Sequence, residues 1–213
     1  MILRILIVAA LQIVALGAMI ADRMWLLASG KEATIAVIPV DPSDIFRGDY
    51  VTLRYGFSQI NAWEFTTEGD FNPADTAFVT IKPSSEPNGW IVTNISHQKP
   101  DSVEDGSLML KGRVTSAYRQ SGTSTEDWAN EGKPDFYPPL SEKPKHLCPG
   151  GCPVLTVEYG IESYFLEQGT GQPIEQERND GSLSAKVAVD SDGRAGIKAL
   201  MIDGSSLGEV TLF

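Results

Sequence analysis

Histidine and cysteine are scarce in this chain, two of each in 213 residues. A structural zinc site wants four good ligands, and Cys148, Cys152 and His146 fall short of that. A Ser-His-Asp triad has only His97 or His146 to draw on, and both sit in polar, loop-like sequence. No metal and no cofactor is therefore expected. Basic residues are also few: 17 Lys and Arg stand against 28 Asp and Glu, a net charge of −11. That balance disfavours phosphate backbones and anionic lipid as partners of the soluble part, so no nucleic acid is expected. With so many carboxylates some pair is always available, so Asp41, Asp44, Asp49, Glu158 and Glu162 give no usable signal for paired-carboxylate catalysis. Long apolar runs are absent too, with one exception.

The exception is residues 5–21, seventeen residues with Gln12 as the one polar member. As a helix the run covers ~25 Å, the short end of a bilayer span. Met24, Trp25, Leu26 and Leu27 prolong it beyond Asp22 and Arg23, and Trp25 suits a membrane interface. A cleaved signal peptide would use Ala15-Leu16-Gly17 or Met19-Ile20-Ala21 as its cleavage box. The apolar character runs past both, which favours an uncleaved anchor over residues 1–29.

Residues 30–213 read as one β-rich domain, barrel- or sandwich-like. Twenty glycines and thirteen prolines imply many turns and short strands. Alternation or β-branching predicts strands over 34–38 (stopped by Pro39), 50–58, 76–82, 90–95, 108–115, 154–159, 183–189, 195–202 and 209–213. Asp190-Ser191-Asp192-Gly193 reads as a hairpin turn rather than a calcium loop, whose full spacing is missing. Residues 161–167 place Ile161, Tyr164 and Phe165 on one face at helical spacing, which predicts a short helix. A helical turn is also expected within 173–178. Residues 120–151 form a long polar excursion, pinned at one end by Cys148 and Cys152. The Pro-Gly-Gly spacer lets Cys148 and Cys152 meet, and an oxidising compartment would favour a disulfide.

The densest local signal is Phe46-Arg47-Gly48-Asp49-Tyr50-Val51-Thr52-Leu53-Arg54-Tyr55. Gly48 and Asp49 suit a tight turn, and the strand that follows puts Val51, Leu53 and Tyr55 on one face and Tyr50, Thr52 and Arg54 on the other. Gly48, Asp49, Tyr50, Leu53 and Tyr55 spell the motif of the bacterial GDYxxLxY family, which this chain resembles. A second block, Tyr159-Gly160-Ile161-Glu162-Ser163-Tyr164-Phe165, resembles the same family, as do the Val40-Asp41-Pro42 lead-in and Lys111-Gly112-Arg113-Val114. The excursion at 120–151 departs from that pattern. The motif is expected to be architectural first, with Leu53 in the core. A contact role built on it would present Arg47, Tyr50 and Tyr55.

Gly48-Asp49 before a strand also resembles a turn of bacterial signal peptidases. Those enzymes place a serine nucleophile eight residues before the glycine, where this chain has Val40. Ser43 is out of register, and Lys111 would be the base, by a lowered pKa on burial. The expectation is accordingly a single-pass protein of the bacterial inner membrane, N-terminus cytoplasmic and main domain periplasmic. Its role is expected to be non-enzymatic: an envelope scaffold, binding module or subunit of a membrane assembly. The resemblance implies a multi-spanning membrane protein as partner; the alternative is a signal-peptidase-like hydrolase or its silent relative.

Overall fold

Residues 2–29 contain no proline, and nearly every side chain avoids water, so a helix that satisfies its own backbone is the natural outcome. A computed structural model of the chain describes residues 2–40, 50–65, 69–85, 89–120, 151–165, 183–202 and 204–209. It opens with helix α1 (Ile2–Ser29), long and apolar enough to cross a membrane. Its large apolar side chains from Ile2 to Ile20 face outward, as does Trp25 at 73% exposure. A core helix would hide them. Gly30 closes the helix by donating its N–H to the Leu26 carbonyl at 3.0 Å. A Cβ at Gly30 would lie 2.7 Å from that oxygen and 2.9 Å from the Val189 nitrogen, so only glycine fits.

Among the described residues two antiparallel sheets follow. The first has six strands in the order β11-β10-β9-β1-β2-β8. These are β1 (Lys31–Val40), β2 (Tyr50–Tyr55), β8 (Ser163–Phe165), β9 (Leu183–Val189), β10 (Ala195–Ile202) and β11 (Ser205–Glu209). The second has five, in the order β3-β7-β6-β4-β5. These are β3 (Gln59–Asn61), β4 (Thr76–Pro83), β5 (Trp90–Ser96), β6 (Leu108–Gln120) and β7 (Cys152–Glu158). A 3-10 turn, Ala62–Glu64, follows β3. Ile35, Val37, Leu53, Val187 and Leu200 of the first sheet share one core with Ile60, Val79, Ile81, Leu110 and Val157 of the second. The period-2 pattern of burial along β4 and β9 is what burying one face of a strand requires. The chain is thus a helix followed by a mainly β domain.

Several sequence expectations change. Residues 161–167 form no helix: Ser163–Phe165 is a strand, paired with β2 from Thr52↔Ser163 to Tyr50↔Phe165. Pro39 does not stop β1, because pairing with β9 ends at Ala36↔Ser184 while pairing with β2 continues to Val40↔Thr52. Among the described residues Pro39 therefore has a neighbouring strand on one flank only, a place where its missing N–H is tolerated. The motif strand ends at Tyr55 rather than Ser58. The closing strand is Ser205–Glu209, and residues 210–213 lie outside the described part, as do 173–178 and most of the 120–151 excursion.

α1 is not a free stalk. Leu26 and Leu27 are buried against Ala188 on the outer face of β9. Gly196 of β10 is the register partner of Ala188, and a Cβ on it would meet Leu26 and Leu27 methyls at 2.7 and 3.0 Å. The two small residues make a notch for the last helical turn. Above it, Arg194 donates from its two terminal nitrogens to both oxygens of Asp22, at 2.7 and 3.1 Å, and from Nε to Asp190 at 2.7 Å. Arg23 donates to the Ala195 carbonyl at 3.2 Å. Asp190 also holds the β9–β10 turn, accepting from the Asp192 and Arg194 amides at 2.9 Å each.

Candidate functional site

The chain passes from the first sheet to the second between β2 and β3, and returns between β7 and β8. The two crossings lie side by side, and the two motif blocks of the sequence supply them. In the first crossing, Ser58 folds back on Tyr55. Its N–H donates to the Tyr55 carbonyl at 2.9 Å, and the Tyr55 N–H donates to the Ser58 hydroxyl at 3.0 Å. In the second, Gly160 takes a positive φ of 78°, natural for glycine. The Glu162 carboxylate then accepts from the Tyr159 N–H at 2.6 Å and the Gly160 N–H at 2.8 Å.

Each crossing donates a tyrosine to the other. The Tyr55 hydroxyl donates to the Ile161 carbonyl at 2.6 Å, and the Tyr159 hydroxyl donates to the Phe57 carbonyl at 2.8 Å. Phe57 lies between them, stacked on Tyr55 (centroids 5.4 Å) and edge-on to Tyr159 (5.3 Å). Leu53 adds a backbone bond to the Glu162 carbonyl at 2.7 Å, and Val157 one to Ser58 at 2.9 Å. Carbonyls at chain crossings have no sheet partner, so a buried phenol that reaches them satisfies a group that would otherwise be costly.

The electrostatics fit a structural role. Burial first, and the nearby Glu162 charge second, push both the Tyr55 and the Tyr159 hydroxyl well above the ordinary phenol value. Both stay protonated and act as donors, not as nucleophiles or proton acceptors. Burial also raises the Glu162 carboxyl, against the lowering effect of its backbone amide bonds.

The sequence-nominated residues divide as follows. Leu53, Tyr55, Tyr159 and Ile161 are buried, with Tyr55 at 0% exposure, so Tyr55 is not the surface contact that the sequence suggested. The strand geometry explains the error: Tyr55 shares the inward face with Leu53. Glu162 and Tyr164 are half-buried, and Tyr164 packs against the core. Tyr50 opens β2 and Phe165 closes β8, directly opposite one another. Arg47, Gly48 and Asp49 lie outside the described residues, as do Cys148 and His146. Cys152 opens β7 opposite Gln120. His97 is stacked on Phe71 at 3.8 Å. Lys111 is exposed on β6, which removes the burial a lysine base would need. Asp190 and Asp192 face Arg194 and Lys99 as their cations. Among the described residues no three His, Cys, Asp or Glu converge as metal ligands. Sequence reasoning missed Phe57 and Ser58; their one signal was adjacency to the motif.

No curated protein and no solved structure matches the chain. A family model described as GDYXXLXY protein matches residues 12–200, from within α1 to β10 and across both blocks of the joint. The chain belongs to the GDYXXLXY protein family.

Proposed function

We propose that this protein is a non-enzymatic scaffold or subunit of a membrane assembly, anchored in the bacterial inner membrane by α1. Its N-terminus lies in the cytoplasm and its β domain in the periplasm. The observation that carries this reading is the seating of the anchor on the domain. Leu26 and Leu27 fill the notch at Ala188 and Gly196, and Asp22 and Arg23 bond the β9–β10 turn. A β module held this way presents its surfaces at a set height and orientation to the bilayer, which suits a part that positions others. The motif tyrosines support it as well, since their hydroxyls are committed to holding the two sheets. The partner in this reading is a multi-spanning membrane protein.

An oxidising compartment would also join Cys148 to Cys152. Thiol labelling of unfolded, unreduced protein tests that pairing, and two reactive thiols would exclude it. For the assembly itself, the full chain is purified from membranes in mild detergent and the proteins bound to it are identified. A stoichiometric membrane partner is expected. A protein that elutes alone at several detergent strengths, or whose N-terminus begins at Ala18 or Asp22, would overturn the reading.

A further inference from the structure

Gln12 is the one polar side chain of the apolar run, and it is placed badly for a helix surrounded by lipid alone. It lies ten residues into α1, ~15 Å from its start and so near the middle of a bilayer core of ~30 Å. Its amide carries two donors and an acceptor. Among the described residues it has no hydrogen-bond partner, and it is exposed. Interhelical hydrogen bonds from such side chains contribute, with close packing, to helix association in membranes.

The helix phase says where a partner would sit. Arg23, Leu26 and Leu27 follow Gln12 at eleven, fourteen and fifteen residues, about three and four turns on. They bracket the azimuth of Gln12, so the face of α1 that meets the β domain continues downward as Ile5, Val8, Gln12, Ala15 and Met19. Trp25, the exposed aromatic, lies on the other side. The β domain therefore overhangs the Gln12 face of the helix.

That overhang selects among occupants. Two copies packed through Gln12 about a two-fold axis would bring their helix axes to ~8–10 Å. Each domain leans toward that axis, and a domain of this size has a radius of gyration of ~16 Å. The two domains would claim the same space. A helix of a different protein, ending near the membrane surface, fits under the domain without a clash. We infer that the Ile5–Val8–Gln12–Ala15–Met19 face of α1 docks a transmembrane helix of another protein, which supplies a hydrogen-bonding group to Gln12 beneath the β domain. The inference rests on the reading of α1 as a membrane span.

The test uses the full chain in membranes of its source cell, with a photo-crosslinking amino acid placed singly at Val8, Ala15 or Met19, or on the opposite face at Ala10, Val14 or Ala21. Alkaline carbonate extraction is run on every variant. Expected are retention in the membrane, adducts with one membrane protein from the first set, and about 3- to 10-fold weaker adducts from the second. Gln12→Leu should lower the first set's yield by about 3- to 10-fold while the protein stays in the membrane. Release by carbonate would overturn the membrane reading itself. Retention with equal adducts from both faces, with none, or with yields indifferent to Gln12→Leu would overturn this inference alone. Adducts of twice the chain's mass would replace the foreign helix by a second copy.

Discussion

Two seams hold this molecule together, and they are made of different materials. The joint between the sheets is dry. Tyr55, Phe57, Tyr159 and Ile161 are buried, and neutral phenols satisfy two carbonyls that the strands leave over. The joint between helix and domain is half wet: a small apolar notch at Ala188 and Gly196 beneath the charged pairs of Arg194 with Asp22 and Asp190. The difference follows from what each seam must resist. Separating the sheets would flood the core, so the first is built from groups that are expensive to expose unpaired. Among the described residues, shifting the helix exposes Leu26, Leu27 and the small Ala188, and exposed ion pairs add little to equilibrium stability. Their value is directional: they fix the turn of the helix on the sheet.

The comparison can be broken hardest at Leu53. Leu53→Ala leaves a cavity beside the first crossing and should cost ~2–5 kcal/mol in denaturant unfolding of the purified protein. A loss under ~1 kcal/mol would mean that the core beside the motif is not closely packed. Next come the phenols. Tyr55→Phe and Tyr159→Phe keep the rings and strand one carbonyl each, for ~1–3 kcal/mol apiece. If the two crossings brace one another, the double variant should depart from the sum of the singles by ~0.5 kcal/mol or more. Strict additivity would make the two bonds independent.

The helix seam should answer differently. Gly196→Val drives a side chain into Leu26 and Leu27, whose methyls already stand 2.7 and 3.0 Å from a Cβ there. The domain should keep its unfolding transition while hydrogen exchange quickens in residues 24–30. Global unfolding instead would show the seams to be one cooperative unit. The smallest effects are electrostatic and opposite in sign. Glu32, bonded to Lys186 and Lys198, is lowered to about 2 from an ordinary 4.5. Its contribution is present above pH 4.5 and fades as pH falls toward 2. Glu162 is raised, chiefly by burial, so the folded chain binds the extra proton. Its contribution is fullest below 4.5 and is lost as pH rises through the raised value. In unfolding midpoints followed from pH 2.5 to 8, Glu32→Gln should flatten the acid limb and Glu162→Gln the fall above it. Unchanged slopes would remove both assignments.

Much of the scaffold was legible in the residues. The apolar run predicted α1, alternation placed Leu53 and Tyr55 on one face, and the ranges 183–189 and 195–202 are the observed strands. Ile161, Tyr164 and Phe165 misled because their spacing fits a helix as a pattern. What overrides it is the turn at Gly160, held by Glu162, and the pairing of Ser163–Phe165 with β2. Pro39 misled because a breaker breaks only where both flanks are paired. Neither piece of information is local.

Sequence alone determined the order of the chain: one span-length helix, a run of short strands, an acidic surface and two motif blocks. Those are short-range properties, set by hydrophobic period, turn chemistry and charge. The tertiary structure decided what the blocks touch. Tyr55 finds its acceptor 106 residues away, and Asp22 meets Arg194 across 172. A tyrosine reads the same in a sequence whether its hydroxyl meets a partner protein or a carbonyl of its own chain. Only the packing of the two sheets, which buries both crossings together, chose the carbonyl.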